Sequence, residues 1–203
     1  LWFRQDLRLR DNPALIAAFA TGSVLPVYVL DDESAGSWQR GAASRCWLHR
    51  SLEALNESLH GKLWILKGNA AEVIPAFAAD RGAAAVYWNR GYEPWRIARD
   101  KRIKQTLIDA GVTVESHAGT LLWEPWNNLK KDGTPYKVFT PYYRNALATQ
   151  PAPVPAATVD AAQLSDALHA CAQPNNKIDT LALRPSLNWH EGMLSDWVPG
   201  EAG

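Results

Sequence analysis

The sequence is poor in cysteine, has no surplus of either charge and contains no long apolar run. Each shortage closes off a class of function. The two cysteines, Cys46 and Cys171, stand far apart, with no C-x-x-C spacing to bind a metal or cycle a disulfide. This usage fits a reduced, cytosolic setting, and the chain is expected to be cytoplasmic. Lys+Arg and Asp+Glu both number 21, so the formal net charge is zero. A neutral chain has no overall field drawing it to DNA or to an anionic membrane. No stretch has the length of a membrane span, and neither a secretory signal nor a membrane partner is expected. The five histidines are scattered, whereas zinc needs clustered ligands, so no metal is expected either. No Walker loop, H-E-x-x-H or G-x-S-x-G occurs.

What is present is an alternation of strand-like and helix-like segments over residues 1 to about 120. Leu1–Phe3 reads as a strand end. Asp11-Asn12-Pro13 is a helix-start signal, and Ala14–Ala20 follows as a helix. Val24–Leu30 is an apolar, β-branched strand. Arg40–His60 is a helix in which Leu48, Leu52, Leu55 and Leu59 form one apolar stripe, ended by Gly61. Leu63–Lys67 is a strand. Asn69 caps a helix over Ala70–Asp80, with Val73, Ile74 and Phe77 turned inward. Ala84–Asn89 (strand), Glu93–Ala110 (helix) and Val112–His117 (strand) complete the series. Five strands separated by helices predict an α/β fold: a doubly wound, five-stranded parallel sheet of Rossmann-like type, covered on both faces. In a 3-2-1-4-5 strand order the ligand site lies beyond the carboxyl ends of strands one and four. A short helix is predicted over Thr140–Thr149 and another over Ala161–Ala172. Otherwise residues 141–203 carry little periodicity and three prolines within 150–157. This gives a domain over residues 1–140 and a largely irregular linker over residues 141–203.

The two segments that follow strands one and four, Arg4–Asn12 and Asn89–Arg99, are together rich in charged and aromatic residues. Arg4–Asn12 holds three arginines and two aspartates but no glycine, so it cannot cradle a pyrophosphate as an ordinary dinucleotide loop does. Arg–Asp pairs locking the turn are the plainest reading. The chain also holds ten tryptophans, more than a core of this size needs, which points to aromatic surface for a ligand or a neighbouring domain. Trp123-Glu124-Pro125-Trp126 and Tyr142-Tyr143 are candidates for that surface. The basic run Arg96, Arg99, Lys101, Arg102 and Lys104 is interrupted by Asp100 and reads as a solvated helix face.

Trp2-Phe3-Arg4-Gln5-Asp6-Leu7-Arg8-Leu9-Arg10-Asp11-Asn12 resembles the opening signature of the DNA photolyase/cryptochrome family. Three further stretches agree, in the family's order: Tyr87–Trp95, Tyr136–Tyr142 and Trp197–Gly203. The resemblance implies the N-terminal, antenna-binding domain of a deoxyribodipyrimidine photolyase, a carbon–carbon lyase. The full-length enzyme would repair cyclobutane pyrimidine dimers in UV-damaged DNA by blue-light-driven electron transfer from reduced FAD. The FAD belongs to a C-terminal helical domain, which would also hold the DNA. The 203 residues alone would therefore carry no FAD, no catalytic residue and no repair activity.

The antenna would be a methenyltetrahydrofolate, a deazaflavin or an FMN, and is expected to be absent from the isolated domain. Glu93 and Arg99 match positions that contact the chromophore in the deazaflavin-binding branch. Trp95 and Arg96 fall where the folate-binding branch has an Asn-Glu pair, and Trp38 falls where it has a histidine. Trp38 or Trp95 could stack on a flat heterocycle, and Arg96 could meet an anionic tail. Arg45, at the start of a helix, could hold an anion with help from the helix dipole. Two rival readings remain: a cryptochrome photoreceptor domain, and a nucleotide-binding domain of the electron-transfer-flavoprotein type.

Overall fold

In the computed structural model residues 1–169, 174, 177–194 and 196–201 are described. Cys171 and the ends of the predicted Ala161–Ala172 and Trp197–Gly203 segments lie outside the described residues. Strands and helices alternate as β1 (Trp2–Phe3), α1 (Pro13–Phe19), β2 (Val27–Leu30), α2 (Ala42–Ser58), β3 (Trp64–Lys67), α3 (Ala70–Asp80), β4 (Ala85–Asn89), α4 (Pro94–Asp109) and β5 (Thr113–His117). Then come α5 (Phe139–Thr149), α6 (Ala161–His169) and α7 (Glu191–Leu194). Local chemistry sets several ends. Asn12 and Asn69 cap α1 and α3 by accepting from the amides of Leu15 and Ala71, at 3.1 and 3.0 Å. Gly61 and Gly111 follow α2 and α4 at φ of 76° and 78°, a region glycine enters without a Cβ penalty.

All strand pairings are parallel, but the expected single five-stranded sheet is replaced by two, ordered β1-β2-β3 and β4-β5. The reason lies in β1. Its two residues pair with Val27 and Tyr28, then the chain turns into the Arg4–Asn12 loop. Two residues present too few backbone groups for a ladder on both sides. β1 and β4 still adjoin, through side chains: the rings of Trp2 and Trp88 meet edge-on, 5.9 Å apart and inclined by 67°. Such an aromatic pair contributes about 0.5–1.5 kcal/mol beyond its buried area.

The two-residue period of a strand sends neighbours to opposite faces. Phe3, Tyr28 and Leu30 therefore join Leu48, Leu52, Leu55 and Leu59 of the α2 side in one core cluster. Trp2, Val27, Val29 and Trp88 join Ile74 of α3 and Ile103 and Leu107 of α4 in the other. Residues beyond 140 carry most of α5, then α6, α7 and two short 3-10 turns, Ile178–Leu181 and Asn188–His190, joined by irregular segments, and they pack on the domain. Leu164 and Leu168 of α6, with Leu181 and Leu183, are buried in the first cluster, and the Val24 amide donates to the Ala167 carbonyl at 3.1 Å. The tail also covers His49 of α2, which is buried with Glu53 at 3.2 Å and Asp179 at 3.8 Å. Burial holds the His49 pKa below the ordinary histidine value; Glu53 and Asp179 oppose this, while Arg184 and Arg50 add to it.

Leu181→Ala is expected to cost about 2–5 kcal/mol, as for other buried leucines. A denaturant midpoint checks it, and a loosely attached tail would show almost no shift. His49 binds its proton more weakly folded than unfolded, so stability is held above about pH 6.5 and lost as pH falls through the window below it. Stability curves from pH 7 to 5 should be flatter for His49→Gln, and an unchanged slope would rule His49 out as the cause.

Candidate functional site at the carboxyl ends of the strands

Where β1 and β4 end side by side, one buried amide joins three segments. Asn89, the last residue of β4, donates from Nδ2 to Asp6 at 2.5 Å and to Asn12 at 2.7 Å, and its Oδ1 accepts from the Ala14 amide at 3.2 Å. Asp6 in turn accepts from the Arg4 amide at 2.9 Å. Asn89, Asp6 and Asn12 are all buried. A Cβ at Gly119 would collide with the Asn89 side chain, so only glycine fits there. The Arg4–Asn12 turn is thus held chiefly by Asp6 and Asn89. Arg4 leaves the turn to pair with Asp100 of α4 at 2.5 Å, while Arg8 donates both within the turn, to the Arg10 and Asp11 carbonyls, and to the Gly119 carbonyl at 2.6 Å.

This frame supports a cleft of about 340 Å³ lined by Arg4, Asp6, Asn89, Arg90, Tyr92, Glu93, Arg96 and Thr120, among others. Arg90 is fixed by Glu124 and by the Ser116 carbonyl, and Glu124 also accepts from the Tyr92 hydroxyl at 2.9 Å. Glu93 and Arg96 form an ion pair at 3.1 Å. Gly91 lets them lie close, since a Cβ there would stand 2.8 Å from the Arg96 Cδ. Trp95 is half-buried beside the cleft, with the guanidinium groups of Arg96 and Arg99 over its ring at 4.8 and 5.1 Å. Arg99 lies deeper, pairing with Asp31 at 3.3 Å and Asp100 at 2.8 Å and covering Trp2 at 4.9 Å.

Of the residues expected from sequence, Glu93, Trp95, Arg96 and Arg99 are therefore brought together, and Glu93 and Arg96 line the cleft. Arg45 pairs with Asp32 at 2.9 Å, and Trp38 is 81% exposed on the short turn Gly36–Trp38; neither lines this cleft. Sequence reasoning placed the site in the Asn89–Arg99 segment but gave no role to Asn89, Arg90 or Tyr92, and it passed over Thr120 and Glu124 as site residues. An asparagine closing a buried apolar strand was the one available signal for Asn89; the others come together only through the chain's return after β5.

The electrostatics favour an anion. Arg96 is buried, and burial together with Arg4, Arg99 and Arg40 pushes its pKa below the ordinary arginine value, against the pull of Glu93. Its Nε stands 3.1 Å from the Glu93 carboxylate as an ion pair without hydrogen-bond geometry. A buried cation with one carboxylate and three arginines acting on it is stabilised by an oxyanion that enters. Among the described residues no cluster could hold a metal ion, and no helix is long and apolar enough to cross a membrane.

Comparison with known proteins fits this geometry. The DNA photolyase family model matches residues 1–159. The chain belongs to the DNA photolyase family. Two similar curated proteins are a deoxyribodipyrimidine photo-lyase of Agrobacterium fabrum, 39% identical with all of this chain and 42% of that protein covered, and Cryptochrome-2 of Arabidopsis thaliana, 33% identical with 98% and 34% covered. Among solved structures, a bacterial class III photolyase from Agrobacterium tumefaciens superposes over the whole chain and 42% of its own, with a TM-score of 0.83 and 38% identity. The chain thus spans less than half the length of these photolyase-family relatives.

Replacing Asn89 by alanine in this photolyase-family domain would strand Asp6 and Asn12 without their shared donor. Each lost partner to a buried polar group costs about 1–3 kcal/mol. Asn89→Ala should therefore lower unfolding stability by several kcal/mol at most and broaden the amide resonances of residues 4–12. A sharp, unshifted loop spectrum would show that Asn89 is not the tether.

Proposed function

We propose that the chain is the antenna-chromophore-binding domain of a deoxyribodipyrimidine photolyase, with residues 141–203 leading to a C-terminal FAD-binding helical domain. In the full-length, cytoplasmic enzyme, FAD in that second domain would repair cyclobutane pyrimidine dimers in UV-damaged DNA. This domain's part would be to hold a light-harvesting pigment, which supplies excitation energy when bound. The observation that carries the reading is the cationic cleft at the β1/β4 switch point. Its volume lies within the range of small-ligand pockets, and Arg4, Arg90 and Arg96 line it with two carboxylates, those of Asp6 and Glu93.

The residues present fit such a pigment's chemistry. Arg96 would meet a carboxylate or phosphate, and the Glu93 carboxylate would accept from the N–H edge of a heterocycle. Arg4 and Arg90 would add positive potential at the rim. Trp95 and Arg99 would act behind them: the Trp95 ring holds Arg96 in place, and Arg99 keeps the Asp31 and Asp100 carboxylates away from the ligand. Tyr28 belongs to β2. It is buried, its pKa is raised chiefly by that burial, and Arg40, Asp32, Arg96 and Arg45 all act on it. The cryptochrome alternative rests on the likeness to the Arabidopsis protein, and identity is higher to the Agrobacterium photo-lyase. Family membership sets aside the electron-transfer-flavoprotein reading.

The test is an absorption and mass spectrum of the full-length protein as purified. FAD and a second, antenna pigment are expected together, and Arg96→Ala should lower antenna occupancy about tenfold, the loss of one charged hydrogen bond, with FAD content unchanged. Equal antenna occupancy in the variant would take the pigment out of this cleft. FAD bound by the 203 residues alone would contradict the division of labour.

A further inference from the structure

The β1–α1 loop is electrically polarised in a way that the antenna cleft does not use. On one side its carbonyls are gathered by one guanidinium: Arg8 donates to the carbonyl of Arg10 at 3.1 Å and to that of Asp11 at 2.8 Å. On another, two successive amides, those of Leu9 and Arg10, converge on one carboxylate. They donate to the two oxygens of Glu201 at 2.8 and 2.7 Å, across more than 190 residues of sequence. Paired successive amides are a backbone anion nest. Leu9 anchors it by packing against the core.

The segment that delivers Glu201 is shaped for the purpose. Gly200 has φ of 101°, where a side chain is strained, and a Cβ there would stand 2.7 Å from the Ala54 Cβ on α2. The turn is therefore pressed flat on the helix so that the next residue reaches the nest. Gly200 and Glu201 together wall a second cleft of about 760 Å³, whose other sides include Arg4, Arg8, Arg40 and the partly exposed Trp47. Three arginines face this space, and Glu201 is its one acid.

We propose that the Leu9 and Arg10 amides are an oxyanion-binding site which Glu201 fills in cis, so that an incoming carboxylate or phosphate ligand of the arginine-lined cleft competes with the tail for it. The tail then acts as a strap: docked, it closes one wall of the cleft, and displaced, it opens the nest and the cleft together. A carboxylate held on the same chain competes as an intramolecular ligand, so a free anion gains access more readily when the strap is weakened. This proposal does not depend on the antenna reading, since its site is the amide pair and not the Glu93–Arg96 cleft.

The experiment is a titration of the ¹⁵N-labelled 203-residue chain with inorganic phosphate at constant ionic strength, following the Leu9 and Arg10 amides by NMR. Glu201→Ala should bring half-saturation at least about tenfold below the wild-type phosphate concentration. Gly200→Val keeps the carboxylate but cannot lie on Ala54, and it should move half-saturation the same way. A parallel titration with acetate separates the sources: a response to both anions marks a general oxyanion site, and a response to phosphate alone marks a phosphate site. Unshifted α3 amides report that the variants remain folded. If the Leu9 and Arg10 amides of Glu201→Ala ignore both anions, or if wild type and both variants saturate alike, the proposal fails.

Discussion

Asn89 has a single side-chain amide, and the site depends on how it is spent. Its two polar atoms hold the end of β4 against the Asp6 turn and against the first turn of α1. No backbone ladder joins β1 to β4, so this buried amide and the Trp2–Trp88 contact are what keep the two sheets in register at the end where the cleft opens. In a low-dielectric interior such bonds are strong when complete and expensive when broken. Gly119 serves the same joint by leaving the space that the Asn89 side chain needs.

Around that joint the charges are arranged in depth. Asp100 accepts from both Arg4 and Arg99, and Asp31 accepts from Arg99, so the inner arginines are neutralised by carboxylates that never reach the cleft. The outer ones, Arg96 and Arg90, have Glu93 and Glu124. Arg96 is the buried one of these two, with its Nε 3.1 Å from Glu93 and with Arg4, Arg99 and Arg40 acting against its charge. A formally neutral chain thus concentrates positive potential at one sheet edge, where low-dielectric walls let it act over distance. The overall charge balance spoke against nucleic acid as a global partner and was silent about this local field.

The tail shows how far pattern and packing diverge. Its run of prolines and weak periodicity read as a largely irregular linker, but among the described residues it carries α5, α6, α7 and two short 3-10 turns. Four leucines nevertheless enter the main core, and Glu201 and Asp11 tie it to the β1–α1 loop; the Asp11 carboxylate accepts from the Ala156 amide at 2.7 Å. Leu164 and Leu168 stand one turn apart on α6, but Leu181 and Leu183 follow no helical or strand period, and such residues leave no local mark of burial. The tryptophans divide in a similar way. Trp2, Trp64 and Trp88 fill the core, while Trp38, Trp126 and Trp197 stand more than half exposed.

By itself the sequence determined the alternation of strands and helices, the caps at Asn12 and Asn69, the leucine stripe of α2 and the family. All of these rest on local propensity, side-chain period or contiguous motifs, which neighbours in the chain decide. It also pointed to Glu93 and Arg96, because both follow the fourth strand directly. Only the tertiary structure decided that the strands divide three and two, that Arg4 spends its charge on Asp100 and that Trp95 supports arginines. It alone placed Glu124, Gly119 and Glu201 beside the loop after β1. The Trp95 contacts apart, those outcomes depend on hydrogen bonds and contacts between residues from about 30 to 190 positions apart, and no local rule carries the geometry that brings them together.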